Sequence, residues 1–415
     1  MIRKTRPLIL GDPVLFGLAL ALTSFGIAMI YSAGVLDVPS TIVAGLWRQQ
    51  LLWFVLAMLA TPLVLRVPAV WLEWAAQPIY VLCVVLLVLT LFIGTGAGTA
   101  ESVSGWLAVG PIRIQPSEVA KVGVILMLAR VLGTWREPPK TIWMLWKPLA
   151  VVLVPMGLVM LQPDLGTALV FSSILLAMLF WAGTPLWTLF FLASPALGLF
   201  LSVNVWLWGG YFIVLVLLLA FVYKPYMSEG AAILIANVVA GTIALPLWNS
   251  LETYQQNRFL VFLDPSIDPR GAGYNLIQSR VAIGSGGWFG KGFLDGTQKR
   301  LAFLPEQHTD FIFAVIGEEF GFIGVAAILV GFGFIFWRLV RIAEQAPDPF
   351  ASLVPFGLFG SWFAHVLVNT GMTVGVMPIT GIPLPFLSYG GSFLLVNLLA
   401  LAIVERIAAE SRGRL

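Results

Sequence analysis

Apolar positions run along this chain in long unbroken stretches, with short polar interruptions. A helix that crosses a membrane needs about 20 mostly apolar residues. Twelve stretches meet or approach that length: 13–33, 48–65, 77–95, 116–132, 148–162, 165–181, 186–204, 206–223, 230–249, 311–337, 351–375 and 386–405. Only Gln162-Pro163-Asp164 separates the fifth from the sixth, which predicts a tight hairpin, and the seventh and eighth are nearly continuous. The pattern breaks once, over residues 250–310, which carry twelve charges, six of each sign, and many glycines. Loops beyond about 12–15 residues are usually functional or disordered. This one contains Phe259-Leu260-Val261-Phe262, Tyr274, Trp288 and Phe293, so it is expected to be ordered, with residues 276–283 as a short re-entrant or interfacial helix.

Composition turns that pattern into a class. Hydrophobic residues are 59% of the 415 and charged residues 10%, against roughly a quarter charged in a soluble globular protein. The expectation is an all-α polytopic membrane protein, a single bundle of about 10–12 transmembrane helices with one large ordered extracytoplasmic loop. A net charge of +3 is too small to argue for nucleic acid. The single cysteine, Cys83, supports no intrachain disulfide and is expected to pack in the core.

Charge also gives an orientation, because cytoplasmic loops hold an excess of Lys and Arg. With the N-terminus inside, the inner segments hold Arg3, Lys4 and Arg6, Arg66, Arg130, Arg136, Lys140 and Lys147, Lys224, Arg338 and Arg341, and Arg406, Arg412 and Arg414. Both termini are then cytoplasmic and the long loop is outside. The first span follows basic residues without a small-residue cleavage pattern, so it is expected to remain uncleaved.

Charges within spans are costly and point to function. Glu118 and Lys121, three apart after Gln115-Pro116-Ser117, share one helix face at its outer end. Asp164 suits both a helix cap and a substrate contact. Asp310 closes the long loop beside Glu306 and His308. A carboxylate so placed can have its pKa raised toward a general base's range. Residues 284–292, rich in glycine, fail the phosphate-loop pattern, since Gly292 stands where Ser or Thr is required. They are expected to form a flexible outer lid whose amides and Lys291 could meet a diphosphate. With two histidines and no HExxH or Cys/His cluster, no zinc site is expected. His365 reads as a satisfied bundle residue, and the proline-rich residues 377–392 as a stiff scaffold.

Several strings, in this order, resemble the SEDS family of bacterial cell-wall proteins. They are Gln115-Pro116-Ser117-Glu118, Gln162-Pro163-Asp164, Asp268-Pro269, Gly271-Ala272-Gly273-Tyr274, Gln278-Ser279, Ile283-Gly284-Ser285-Gly286, Gly296-Thr297-Gln298, Leu304-Pro305-Glu306, His308-Thr309-Asp310, Pro383-Leu384-Pro385 and Ser388-Tyr389-Gly390-Gly391-Ser392. Gly296-Thr297-Gln298 and Asn369-Thr370-Gly371-Met372-Thr373 resemble the family's elongation member more than its division member.

The resemblance implies a peptidoglycan glycosyltransferase that polymerises lipid II into β-1,4 glycan outside the cytoplasmic membrane, for cell elongation and shape. It implies Asp310 as the catalytic carboxylate. Glu118, Lys121 and Arg258 are implied as required residues, with Asp164, Lys291 and His308 as further substrate-binding candidates. A class B penicillin-binding protein is the implied partner, and a divalent cation, Mg or Mn, is an option at the diphosphate. The family has ten spans against twelve here, which places an extra helix hairpin within residues 182–253. Glu101-Ser102-Val103-Ser104-Gly105 lacks the basic residue often found before Trp106. The alternative function is a lipid II flippase, which would place essential charges near the midplane and on both sides.

Overall fold

A backbone amide in hydrocarbon finds no water, so apolar stretches of this length close their hydrogen bonds within themselves as helices. The computed structural model describes residues 10–37, 43, 45–96, 105–110, 112–139, 141–268, 271–304 and 306–413. Arg3, Lys4, Arg6, Glu101, Ser102, Val103, Ser104, Lys140, Pro269, Arg270, Pro305 and Arg414 lie outside the described residues.

All twelve expected stretches are helical. The elements are α1 (Pro13–Ala33), α2 (Leu46–Leu65), α3 (Ala69–Ile93), α4 (Pro116–Gly133), α5 (Trp146–Met160), α6 (Leu165–Trp181), α7 (Leu186–Leu201), α8 (Val205–Leu217), α9 (Met227–Ser250), α10 (Thr253–Leu263), α11 (Ala272–Gly286), α12 (Thr297–Arg300), α13 (Ile312–Glu344), α14 (Pro349–Val374) and α15 (Gly391–Arg412). A short antiparallel pair, β1 (Leu107–Val109) and β2 (Ile112–Ile114), precedes α4. Among the described residues, nine helices are long and apolar enough to cross a membrane. Of the other three expected spans, α6 and α7 are apolar but shorter. The third, α4, carries Glu118, Lys121 and Arg130 within its 18 residues.

Helix α3 begins at Ala69, well ahead of the expected 77, and takes Pro78 into its interior. A proline there removes one backbone bond, which a membrane helix tolerates when its neighbours compensate. The buried face of α3, including Leu72, Ala76, Cys83 and Leu87, lies against α4. There Cys83 packs on Gly123, where an added Cβ would fall 2.8 Å from the sulfur.

The core is organised around α14, flanked by α4, α6 and α13, with α15 set between α2 and α4. In α14 and α15, 78% and 72% of the most apolar stretch is buried within the protein. In α9 the share is 11%, and that helix packs chiefly on α7. Residues 182–253, expected as an extra hairpin, thus hold three helices. They share a small separate core of Phe191, Leu215, Leu219 and Ile233. Asn237 stitches it by donating to Ser194 Oγ (2.8 Å) and accepting from Tyr211 (2.8 Å).

The long loop is ordered, and mostly helical. Its α11 is longer than the expected 276–283 and packs along α13 and α14. The glycine-rich segment is not the flexible lid the sequence suggested. It is laced to α13 by backbone bonds, with Lys291 and Gly292 donating to the carbonyls of Glu318 and Glu319 (both 3.0 Å) and Phe322 donating to Gly287 (2.8 Å). These bonds exist because α13 breaks at Gly321 (φ +63°), which frees its backbone groups for outside partners. Gly290 (φ +79°) leaves no room for a side chain, since a Cβ would sit 2.1 Å from the Glu319 carbonyl. Nothing in the spacing of these glycines reports the break they dock into.

Buried charges lock both ends of the bundle. At one end the Asp12 amide donates to Glu405 (2.6 Å) and Arg338 donates to the Asp12 carboxylate (2.7 Å), joining α1, α13 and α15. The described chain therefore starts and finishes at the same end. At the other end, Lys299 in α12 pairs with Glu319 of α13, both fully buried, and donates to the Ser32 carbonyl of α1 (3.0 Å). Removing one partner of such a pair leaves a charge without compensation. Glu319→Ala is expected to cost about 3–5 kcal/mol, read as a lowered unfolding midpoint in detergent micelles. A double variant, Glu319→Ala with Lys299→Met, should recover much of it.

Candidate active site

Helix α4 starts where Pro116 fixes the first turn, and the i,i+3 spacing of Glu118 and Lys121 sets them side by side. Both are 4% exposed, and the ammonium lies 2.7 Å from the Glu118 carboxylate. Its second partner comes from α14, His365 Nε2 at 2.9 Å. His365 Nδ1 lies 2.8 Å from the Pro383 carbonyl. A carbonyl only accepts, so Nδ1 carries the proton, and Nε2 presents a lone pair to the ammonium. His365 is satisfied, as the sequence suggested, and its partner is a candidate site residue.

Asp164 caps α6. Its carboxylate accepts from the Thr167 amide (2.9 Å) and hydroxyl (2.7 Å), and Gln115 Nε2 stands at 3.5 Å. Its charge acts on both Glu118 and Asp310. The two sequence readings, cap and site residue, are compatible in one side chain.

Asp310 sits just before α13. Asn369 of α14 donates to its carbonyl (2.9 Å) and to that of Ile382 (2.7 Å). Its carboxylate flanks Gly381 (φ +73°), where a Cβ would lie 3.4 Å from Asp310 Oδ2 and 3.9 Å from Arg258 Nη1. Carboxylate and guanidinium therefore share one small pocket wall. Burial, and then the nearby charges of Glu306 and Asp164, push the Asp310 carboxyl up to about 7, with Arg258 opposing the rise.

The proline-rich residues after α14 hold this arrangement as a strap. Ser388 Oγ donates to the Thr309 carbonyl (2.7 Å) and accepts from the Leu384 amide (2.8 Å), while the Tyr389 amide donates to the His308 carbonyl (2.8 Å). His308 stands at the rim, its Nε2 3.9 Å from the Glu306 carboxylate. Burial lowers its pKa, which keeps the ring neutral at neutral pH, with Glu306 opposing. Its Nδ1 is buried with no hydrogen-bond partner among the described residues.

Glu118, Lys121, Asp164, Arg258, Asp310 and His308 are thus brought to one end of the bundle. Lys291 is held elsewhere, by Glu318 (2.8 Å) and Thr297 (2.7 Å). Its reach toward a diphosphate would require breaking a pair whose carboxylate is fully buried. Among the described residues, no group of three or more His, Cys, Asp or Glu side chains is arranged to hold a metal ion. Sequence reasoning missed His365, Asn369 and Gly381 as members of the site. Only Asn369 carried a signal, through its place in Asn369-Thr370-Gly371-Met372-Thr373.

A multi-pass helical membrane protein with a partly buried carboxylate facing a cation cradle is the class that fold and site define. The family model for cell cycle proteins of the FtsW, RodA and SpoVE type matches residues 13–217 and 208–413. The chain is 34% identical to the peptidoglycan glycosyltransferase RodA of Treponema pallidum, covering 96% of this chain and 98% of that protein. It is 35% identical to the peptidoglycan glycosyltransferase MrdB of Escherichia coli, covering 95% and 93%. With a probable peptidoglycan glycosyltransferase FtsW of Trichlorobacter lovleyi it shares 34%, covering 99% and 96%. Among solved structures, it resembles a chain from work on the coordination of polymerization and crosslinking by a peptidoglycan synthase complex, with a TM-score of 0.70, 28% identity and coverage of 96% and 98%. Thermus thermophilus RodA gives a TM-score of 0.62 at 26% identity, covering 96% and 97%. The chain belongs to the SEDS family.

Asn369 is fully buried, and its two donated bonds fix the loop end to the strap. Asn369→Leu keeps the volume and strands two buried carbonyls. It is expected to lower stability by about 1–3 kcal/mol, measured by reversible unfolding in mixed micelles.

Proposed function

We propose that this chain is a peptidoglycan glycosyltransferase that polymerises lipid II by an inverting displacement of undecaprenyl diphosphate, with Asp310 as the general base. The observation that supports it most is the Asp310 carboxyl itself, beside the Arg258 guanidinium at the Gly381 wall and raised to about 7 by burial and by the Glu306 and Asp164 charges. A base works best when its pKa lies near the working pH.

The acceptor sugar's hydroxyl attacks the donor's anomeric carbon from the face opposite the diphosphate, so an α-linked donor yields a β-linked glycan. Asp310 takes the hydroxyl proton as the bond forms. A diphosphate departs without a proton provided fixed cations meet its developing charge. Arg258 is the cation beside Asp310, and Lys121 stands with Glu118, whose carboxylate feels the charge of Asp164. Glu118 takes one N–H of Lys121 and orients the others. A divalent ion would add Lewis acidity at the diphosphate, and the described carboxylates offer it no ready cage.

The same reading puts the site on the extracytoplasmic face, with both termini cytoplasmic. It takes a class B penicillin-binding protein as partner and elongation as the process served. The relatives named RodA and FtsW are equally similar at 34%, so the elongation role rests on the two sequence details above. Transport of the same lipid is less well supported. The charges at the opposite end, Asp12, Arg338 and Glu405, are tied to one another across three helices.

Polymerisation of lipid II by the purified protein with its partner tests the proposal. The rate constant kcat/KM is expected to fall about tenfold per pH unit below about 7 and to level off above it, because the raised carboxyl must lose its proton to act. Asp310→Asn should yield no polymer, and full-length glycan from that variant would remove the base assignment. Lys121→Arg keeps the charge but cannot place a compact ammonium between Glu118 and His365. A loss of at least about tenfold in kcat is expected, and normal polymerisation would mean that charge alone suffices.

A further inference from the structure

We propose that His365 is a positioning residue for the transfer: it fixes the Lys121 ammonium in register with Asp310. The inference rests on the transferase reading but names a residue and a role outside it.

Lys121 has three N–H bonds. One goes to Glu118 (2.7 Å) and one to His365 (2.9 Å). The ring of Phe393 lies 5.5 Å from the ammonium and closes a further side with its π face. A lysine held by Glu118 alone could swing on its four-carbon stem, as flexible ammonium side chains do. The second bond converts an ion pair into a fixed direction, so that the remaining N–H has a defined aim.

What His365 is anchored to gives the direction its meaning. Its Nδ1 bonds the Pro383 carbonyl, in the strap that also carries Gly381 against Asp310. One turn further along α14, Asn369 bonds the Ile382 and Asp310 carbonyls. His365 and Asn369, at i and i+4, lie on one face of a buried helix. One rung sets the cation and the other sets the base, and both close on adjacent residues of the same strap. The distance between base and cation is therefore defined through α14 rather than through the long loop. Misplacement of a reacting group by even an ångström is costly in rate, which gives such a rung catalytic weight without contact to substrate.

Two variants separate the two bonds of the ring. His365→Asn keeps a donor near the Nδ1 position, for Pro383, and loses the acceptor for Lys121. His365→Gln keeps an acceptor near the Nε2 position and loses the bond to the strap. If the imidazole positions Lys121 through the strap, Asn should lower kcat about ten- to a hundredfold with little change in KM for the acceptor, and Gln, which keeps the bond to Lys121 but not the one to the strap, should lower it less, by about three- to tenfold. Binding of farnesyl diphosphate, measured by titration calorimetry, should weaken about tenfold in Asn and hold in Gln. Unfolding midpoints in detergent should not follow this order.

Native kcat and native diphosphate affinity in the Asn variant would overturn the inference. So would a loss in both variants that simply tracks their unfolding midpoints. A native protein that makes no polymer while Asp310→Asn binds farnesyl diphosphate normally would count against the transferase reading. The calorimetric comparison would still decide the role of His365.

Discussion

Burying one ammonium group in a bundle of hydrocarbon side chains constrains this molecule more than any other requirement. Lys121 is 4% exposed. An ion there has lost its water, and only charge and hydrogen bonds aimed from fixed positions can replace it. Glu118 comes with it on α4, one turn away. The other partner has to come from a different helix, and this couples α4 to α14 at a set height. The aromatic wall from Phe393 brings in α15. Three central helices are thus mutually registered by one side chain, and the segments that join them are shaped to suit.

The strap after α14 illustrates the consequence. Its prolines give stiffness, but stiffness alone does not place a chain. Three side chains and one backbone amide do: His365 and Asn369 from below, and the Ser388 hydroxyl and the Tyr389 amide from within the strap, which reach Thr309 and His308. At Gly381 the Asp310 carboxylate and the Arg258 guanidinium both approach the same wall. An added Cβ there would touch both groups only at ordinary contact distance, so what holds the position to glycine is its φ of +73°, which strains any larger residue.

How much of this the sequence disclosed follows from which forces act locally. The helices were legible because hydrocarbon forces every apolar stretch to the same solution, and their existence needed no knowledge of neighbours. Helix α3 starts ahead of the expected 77 and runs through Pro78, because neighbouring helices make the bond lost there tolerable. The glycine-rich segment 284–292 read as a mobile lid because glycine content is local, whereas the exposed backbone at Gly321 that receives it lies thirty or so residues away in α13. Glu118, Lys121, Asp164 and Asp310 stood out as charges where charge is expensive. His365 and Asn369 are neutral, and a neutral polar residue in a helix shows no role until its partners are known; Asn369 was marked only by the string it belongs to.

The charges around Asp310 do not come from equally rigid parts. Asp164 is fixed by its cap on α6, and Asp310 by Asn369. Arg258, which opposes the rise in Asp310's pKa, belongs to α10, and α10 rests on α11 and the turn Pro265–Ile267 rather than on the central helices. Of the charges that raise the carboxyl's basicity, Asp164 is anchored in the core and Glu306 belongs to the loop, as does Arg258, which lowers it. A displacement of α10 that drew Arg258 away would push the carboxyl above about 7, and one that brought it closer would pull it down. A displacement of this loop, by a bound anion or a neighbouring chain, therefore acts on the proton affinity of Asp310 through two opposed charges, the Arg258 guanidinium and the Glu306 carboxylate, with no change needed in the helices that hold Lys121.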